Sequence, residues 1–154
     1  MAKFSTREAI EMAVQTERLG YQFYNEMAEK FKDHEGLSDL FRRLALKEKS
    51  HEAVFTRLRD QAAGQDIEQP DEVAHYMRAM VESEFFIGKE KSLPSMDNVK
   101  TLGDAVDYAM GFEKETLLFF VGLRSMLSDG GSMDAVIKEE RSHIAWLSEF
   151  KGKL

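Results

Sequence analysis

Apolar residues return at alternating steps of three and four along four stretches of the chain, the period of a helix that buries one face. The second stretch reads Leu37, Phe41, Leu44, Glu48, His51, Phe55 and Leu58, so two of seven core positions are ionisable. The first reads Ile10, Ala13, Glu17, Gly20, Tyr24, Met27 and Phe31. The third runs Leu102, Val106, Ala109, Glu113, Thr116, Phe120, Leu123 and Leu127, and the fourth Met133, Val136, Glu140, His143, Leu147 and Phe150. Every stripe carries a glutamate where an apolar residue is expected, and two of the four add a histidine three residues later.

Local signals set the element boundaries. Ser5 with Glu8 three residues on has capping-box spacing and opens a helix over 6–32. Lys32 to Gly36 make a short connection, so the next helix, 37–62, is its antiparallel neighbour, and Gly64 ends it. Residues 64–100 differ: GQDIEQPDEV has turn chemistry, DEVAHYMRAMVESEFF reads as a short amphipathic helix, and GKEKSLPSMDNVK is polar and irregular. Thr101 then caps a third helix with Asp104 in its first turn, SDGGS at 128–132 closes it, and a fourth follows from Met133. The pattern predicts one all-α domain over 1–154, a four-helix bundle of two antiparallel hairpins joined by a long crossover with a short extra helix.

The hairpins are copies of one another. A shift of 96 positions places Glu17 on Glu113, Phe23 on Phe119 and Tyr24 on Phe120, and a shift of 92 places Glu48 on Glu140 and His51 on His143.

Composition narrows the function classes. With 154 residues, 43% hydrophobic and 32% charged, the chain can bury a full core, and its only prolines, Pro70 and Pro94, leave the four stripes unbroken. A net charge of −7 without a Lys/Arg stripe argues against nucleic acid as a partner. The longest apolar run, LLFFV at 117–121, is too short to span a bilayer, and MAKFSTREAIEM lacks a signal peptide's apolar core, so no membrane partner and a cytoplasmic location are expected. The chain has no cysteine, which removes disulfides, thiolate metal sites and a cysteine nucleophile from consideration.

A lone Glu-x-x-His on a helix is weak evidence, because such pairs usually lie on a solvated face. Four stripes that converge are another matter. Residues i and i+3 project from adjacent turns of one face, so Glu48 with His51, and Glu140 with His143, each offer an oxygen and a nitrogen to one small volume. Four carboxylates in a dry core repel each other and lose hydration, whereas two divalent cations would balance their charge with both imidazoles neutral. Oxygen and nitrogen ligands without sulfur suit iron or manganese, and zinc also fits. Without metal, the crowded glutamates are expected to hold protons, and Glu48→Gln and Glu140→Gln are expected to raise apo stability alike while abolishing tight binding.

The segments AVQTERLGYQFY, LALKEKSHEAVF, AMGFEKETLLFF and VIKEERSHIAWL resemble the ferritin-like domain of rubrerythrins over essentially the whole chain. The resemblance implies a ferritin-like bundle with a non-haem centre of two iron ions, Glu17, Glu48, His51, Glu113, Glu140 and His143 as ligands, and Glu48 and Glu140 as bridges. It also implies an oxidoreductase that reduces hydrogen peroxide or dioxygen with electrons from a separate donor protein or small reductant, and a homodimer. An iron-binding or ferroxidase storage protein, or a bundle with structural metals, is the alternative. Tyr24 matches a position where the family often has a tyrosine near the cluster and is the one candidate catalytic residue beyond the ligands; a core aromatic with a satisfied hydroxyl is the competing reading.

Two departures from rubrerythrins stand out. The additional carboxylate one turn after the third-helix glutamate is here Thr116, and the four-cysteine electron-feeding centre cannot form. The remaining polar residues read as surface: His34, His75, the Arg42–Arg43 pair, and Lys138 with Glu139 beside the ligand Glu140. Met12, Met77, Met80, Met126 and Trp146 read as packing.

Overall fold

Four helices build the bundle, and side-chain caps explain where three of them begin. The computed structural model describes residues 5–62, 71–81, 96–127 and 130–154. Ser5 is extended and its hydroxyl accepts the Glu8 amide at 3.1 Å, which starts α1, Thr6–Lys30. Its partner α2, Glu35–Gln61, starts two residues before the periodicity suggests, because the exposed His34 is its N-cap: Nδ1 accepts the Leu37 amide at 3.2 Å. A short helix α3, Asp71–Val81, and one 3-10 turn, Met96–Asn98, are the described parts of the crossover. Thr101 and Asp104 close a full capping box that opens α4, Leu102–Met126. The last helix, α5, is Gly131–Gly152 and begins two residues before Met133. The readings of Gly64, Pro70, Pro94 and the start of the SDGGS turn, like that of the Met80 side chain, lie outside the described residues.

The architecture is the expected all-α four-helix bundle of α1, α2, α4 and α5, with α3 laid on α4. Gly122 makes room for that crossing: a Cβ there would stand 2.5 Å from Met77 Sδ and 2.7 Å from Tyr76 Cε1. Met77 and Met126 are buried and Met12 packs against the same core, as expected of gap-filling methionines.

The core is split along the helix axes. One apolar cluster gathers Ile10, Val14, Phe55, Phe119, Phe120 and Leu123, and the other gathers Tyr24, Met27, Leu37, Phe41, Val106 and Leu147. Fully burying a Phe or Leu side chain stabilises the fold by about 1.5–3 kcal/mol, so these two layers outweigh an unfavourable polar layer between them. That layer is Glu17, Glu48, His51, Glu113, Thr116, Glu140 and His143, which fall between the two clusters on every helix.

Candidate metal centre

All four glutamates and His143 have no solvent exposure, and His51 has 2%. One carboxylate oxygen or ring nitrogen from each of Glu17, Glu48, His51 and Glu140 falls within 4.8 Å of the others. The same holds for Glu48, Glu113, Glu140 and His143, so Glu48 and Glu140 belong to both groups. Each histidine turns Nδ1 inward. His51 Nδ1 lies 3.1 Å from Glu140 Oε1 and 3.7 Å from Glu17 Oε1, and His143 Nδ1 lies 3.5 Å from Glu113 Oε1 and 3.6 Å from Glu140 Oε2. The two rings stack with centroids 5.7 Å apart.

Charge in this dry volume is divided unevenly. Burial, reinforced by the charges of Glu17 and Glu113, pushes Glu48 well above the usual carboxylate range. Burial and Glu140 do the same to Glu113. Burial also raises Glu17, although the nearby Glu48 and His51 oppose it. Glu140 goes the other way: burial alone would raise it, but the nearby Glu113 and His143 and the contact with His51 hold it far below its ordinary value. Burial opposes a charge on the imidazoles, yet Glu140 and Glu17 lift His51 to about 11, and Glu113 and Glu140 lift His143 to about 9. Without metal, these shifts favour protons on the imidazoles and on Glu17, Glu48 and Glu113, which reduces the negative charge of the cluster.

The residues fit two cations. Both oxygens of Glu17 and of Glu48, one each of Glu113 and Glu140, and both nitrogens of His143 are buried without a hydrogen-bond partner among the described residues, a set of orphaned donor atoms that metal ligation would satisfy. Two dications would balance the four carboxylates and displace protons from the cluster.

The family model described as Rubrerythrin matches residues 8–151. The chain belongs to the rubrerythrin family. Among solved structures it is similar to a protein of Thermotoga maritima assigned as a ferritin-like diiron-carboxylate protein, with a TM-score of 0.71 and 20% identity over 98% of this chain and 97% of that one. No match was found among curated proteins. The Glu/His cluster fits the two iron ions of rubrerythrin-type centres, and among the described residues no helix is long and apolar enough to cross a membrane.

Within this rubrerythrin domain the structure brings all six expected ligands together and places Tyr24 against them. The Tyr24 hydroxyl donates to Glu113 Oε1 at 2.6 Å, and burial with the nearby Glu113 charge keeps its own proton firmly held. Thr116 is buried with its hydroxyl unpartnered, so the missing family carboxylate leaves a polar but uncharged wall. His75 is exposed as expected, but two residues read as bland do more. Trp146 lies 5.4 Å from the His143 ring, centroid to centroid, with the Arg43 guanidinium 4.3 Å over its own ring. Glu139 is no mere solvated residue, since its Oε2 is 2.7 Å from His51 Nε2. The EE doublet that marks it in the sequence looks like ordinary helix surface.

At Gly20 the α1 backbone comes close to the cluster. A Cβ there would meet Glu48 Oε2 and the Phe112 ring at 3.0 Å. Gly20→Ala is therefore expected to keep the helix, with a propensity gain of up to about 1 kcal/mol. It should also displace the Glu48 carboxylate and weaken metal binding at least ~10-fold by the loss of ligand placement. Equal metal affinity of variant and wild type in a competition titration would refute that placement.

Proposed function

We propose that this rubrerythrin-family chain is a two-electron oxidoreductase that reduces hydrogen peroxide, or dioxygen more slowly, with electrons from a donor outside these 154 residues. The observation that carries the reading is that Glu48 and Glu140 belong to both ligand groups. Glu48 and Glu140, with Glu17, His51, Glu113 and His143, would hold two metal ions, and a ferrous pair there would supply the two electrons that reduction of one peroxide needs. Six protein ligands for two ions would be fewer than a closed structural site uses.

The chain's own groups do the rest. The two apolar layers exclude bulk water from the polar one. Tyr24 orients Glu113 through its hydrogen bond and keeps its phenolic proton. The reaction consumes two protons and two electrons as peroxide becomes two waters, and the neighbouring carboxyls are the groups placed to relay those protons. The absence of cysteine means that the electrons come from another protein, another segment or a small reductant. A homodimer and a cytoplasmic setting complete the proposal.

Stopped-flow oxidation of the anaerobically reduced protein tests it. About one equivalent of peroxide per chain should oxidise the site faster than dioxygen does, and repeated Fe(II) additions should not accumulate iron beyond two per chain. Continued uptake into a mineral, with sluggish peroxide chemistry, would establish the storage alternative instead. If the family's missing carboxylate tunes this preference, Thr116→Glu will strengthen it.

A further inference from the structure

Glu139 reaches the metal site from outside its ligand set. His51 turns Nδ1 to the cluster and points Nε2 outward to Glu139 Oε2 at 2.7 Å. The Glu139 side chain is 43% exposed, and Lys47 Nζ lies 3.9 Å from the same oxygen, so the carboxylate is anchored between a buried imidazole and a surface ammonium. A ring that ligates through Nδ1 must carry its proton on Nε2, and an acceptor there fixes both tautomer and orientation and raises ligand basicity.

Among the described residues the other half-site has no such partner. The 92-residue shift that superposes Glu48 on Glu140 and His51 on His143 also places Lys47 on Glu139. The position that would serve His143 by symmetry is thus a lysine, which only donates. Consistently, His143 Nε2 is buried without a hydrogen-bond partner and its ring meets Trp146. The internal repeat is symmetric in its ligands and broken in the residue that supports them.

We infer that Glu139 is a positioning residue for His51 and that it makes the two metal positions unequal, the one at His51 binding more tightly than the one at His143. The inference rests on the two-metal reading of the site. Anaerobic titration of the intact chain with Co(II), followed by absorbance, should resolve two steps. Glu139→Ala should weaken the tighter step 10–100-fold and leave the other nearly unchanged. Glu139→Gln, which keeps an acceptor oxygen but not the charge, should fall between, and Lys47→Gln, which removes one of the two anchors of Glu139, should weaken the same step less than Glu139→Ala does. In the Zn(II)-loaded, nitrogen-labelled protein, a slowly exchanging imidazole N–H from His51 should be seen in NMR and lost in Glu139→Ala. Two steps that Glu139→Ala leaves unchanged, or weakens equally, would overturn the inference while leaving the metal site standing. Failure of the wild type to bind Co(II) or Zn(II) would overturn both.

Discussion

Adding two equivalents of Fe(II) to the apo chain at pH 7 under anaerobic conditions is expected to release protons. They come from His51 and His143, lifted to about 11 and about 9 by their carboxylate neighbours, and burial and like charge push Glu48 and Glu113 in the same direction. The overall affinity for the pair should then fall as the pH is lowered near neutrality. The stability of the apo protein follows from the same groups. A raised pKa contributes stability that is lost as pH rises from the unfolded value through the folded one. Glu48 and Glu113 therefore erode stability above about pH 4.3, and the histidines erode it from about 6.5 upward. Glu140, lowered, acts in the opposite sense, its contribution being present above about 4.3 and lost in acid. Apo melting temperatures should fall from pH 5 to pH 9 while those of the loaded protein hold or rise. A pH-indicator titration counts the protons directly. Release near zero would mean that the carboxylates are already ionised and do not converge.

Glu48→Gln and Glu140→Gln should both abolish tight binding of the metal pair, yet affect the apo protein in opposite ways. This corrects the expectation from sequence that the two variants are alike. Burial and the charges of Glu17 and Glu113 disfavour an anion at Glu48, so an amide of the same shape replaces it with little loss and removes its share of the decline in stability at alkaline pH. Glu140 is the carboxylate to which His51 hydrogen-bonds and His143 turns, and its pKa is held low by Glu113, His143 and His51 together. Neutralising it leaves buried imidazolium groups short of a counter-charge, a loss of about 3–5 kcal/mol. In a domain of this size that lowers the apo melting temperature by roughly 10 °C. Chemical denaturation of the two apo variants at pH 7 checks the sign as well as the size. Equal stabilities would show that the proton distribution within the cluster is not the one described.

The ligands were legible in the sequence because helical periodicity is a local property. Steps of three and four put Glu17, Glu48, Glu113 and Glu140 on buried stripes, and the i, i+3 spacing put His51 and His143 beside two of them, before any helix was packed. Helix ends were legible to within a few residues, and the misses have local causes: His34 proved a cap as well as a surface residue, drawing α2 back toward it. Which ring nitrogen faces the metals, which glutamate holds the proton and which is held ionised were decided only by the packing of the four helices. Those outcomes depend on distances between side chains some 89 positions apart, such as Tyr24 to Glu113 and His51 to Glu140. Glu139 shows the limit most clearly. One residue before a ligand, it sits about 100° around the helix from the buried stripe and reads as solvated surface. Only the approach of α5 to α2 turns that surface carboxylate into a partner for His51.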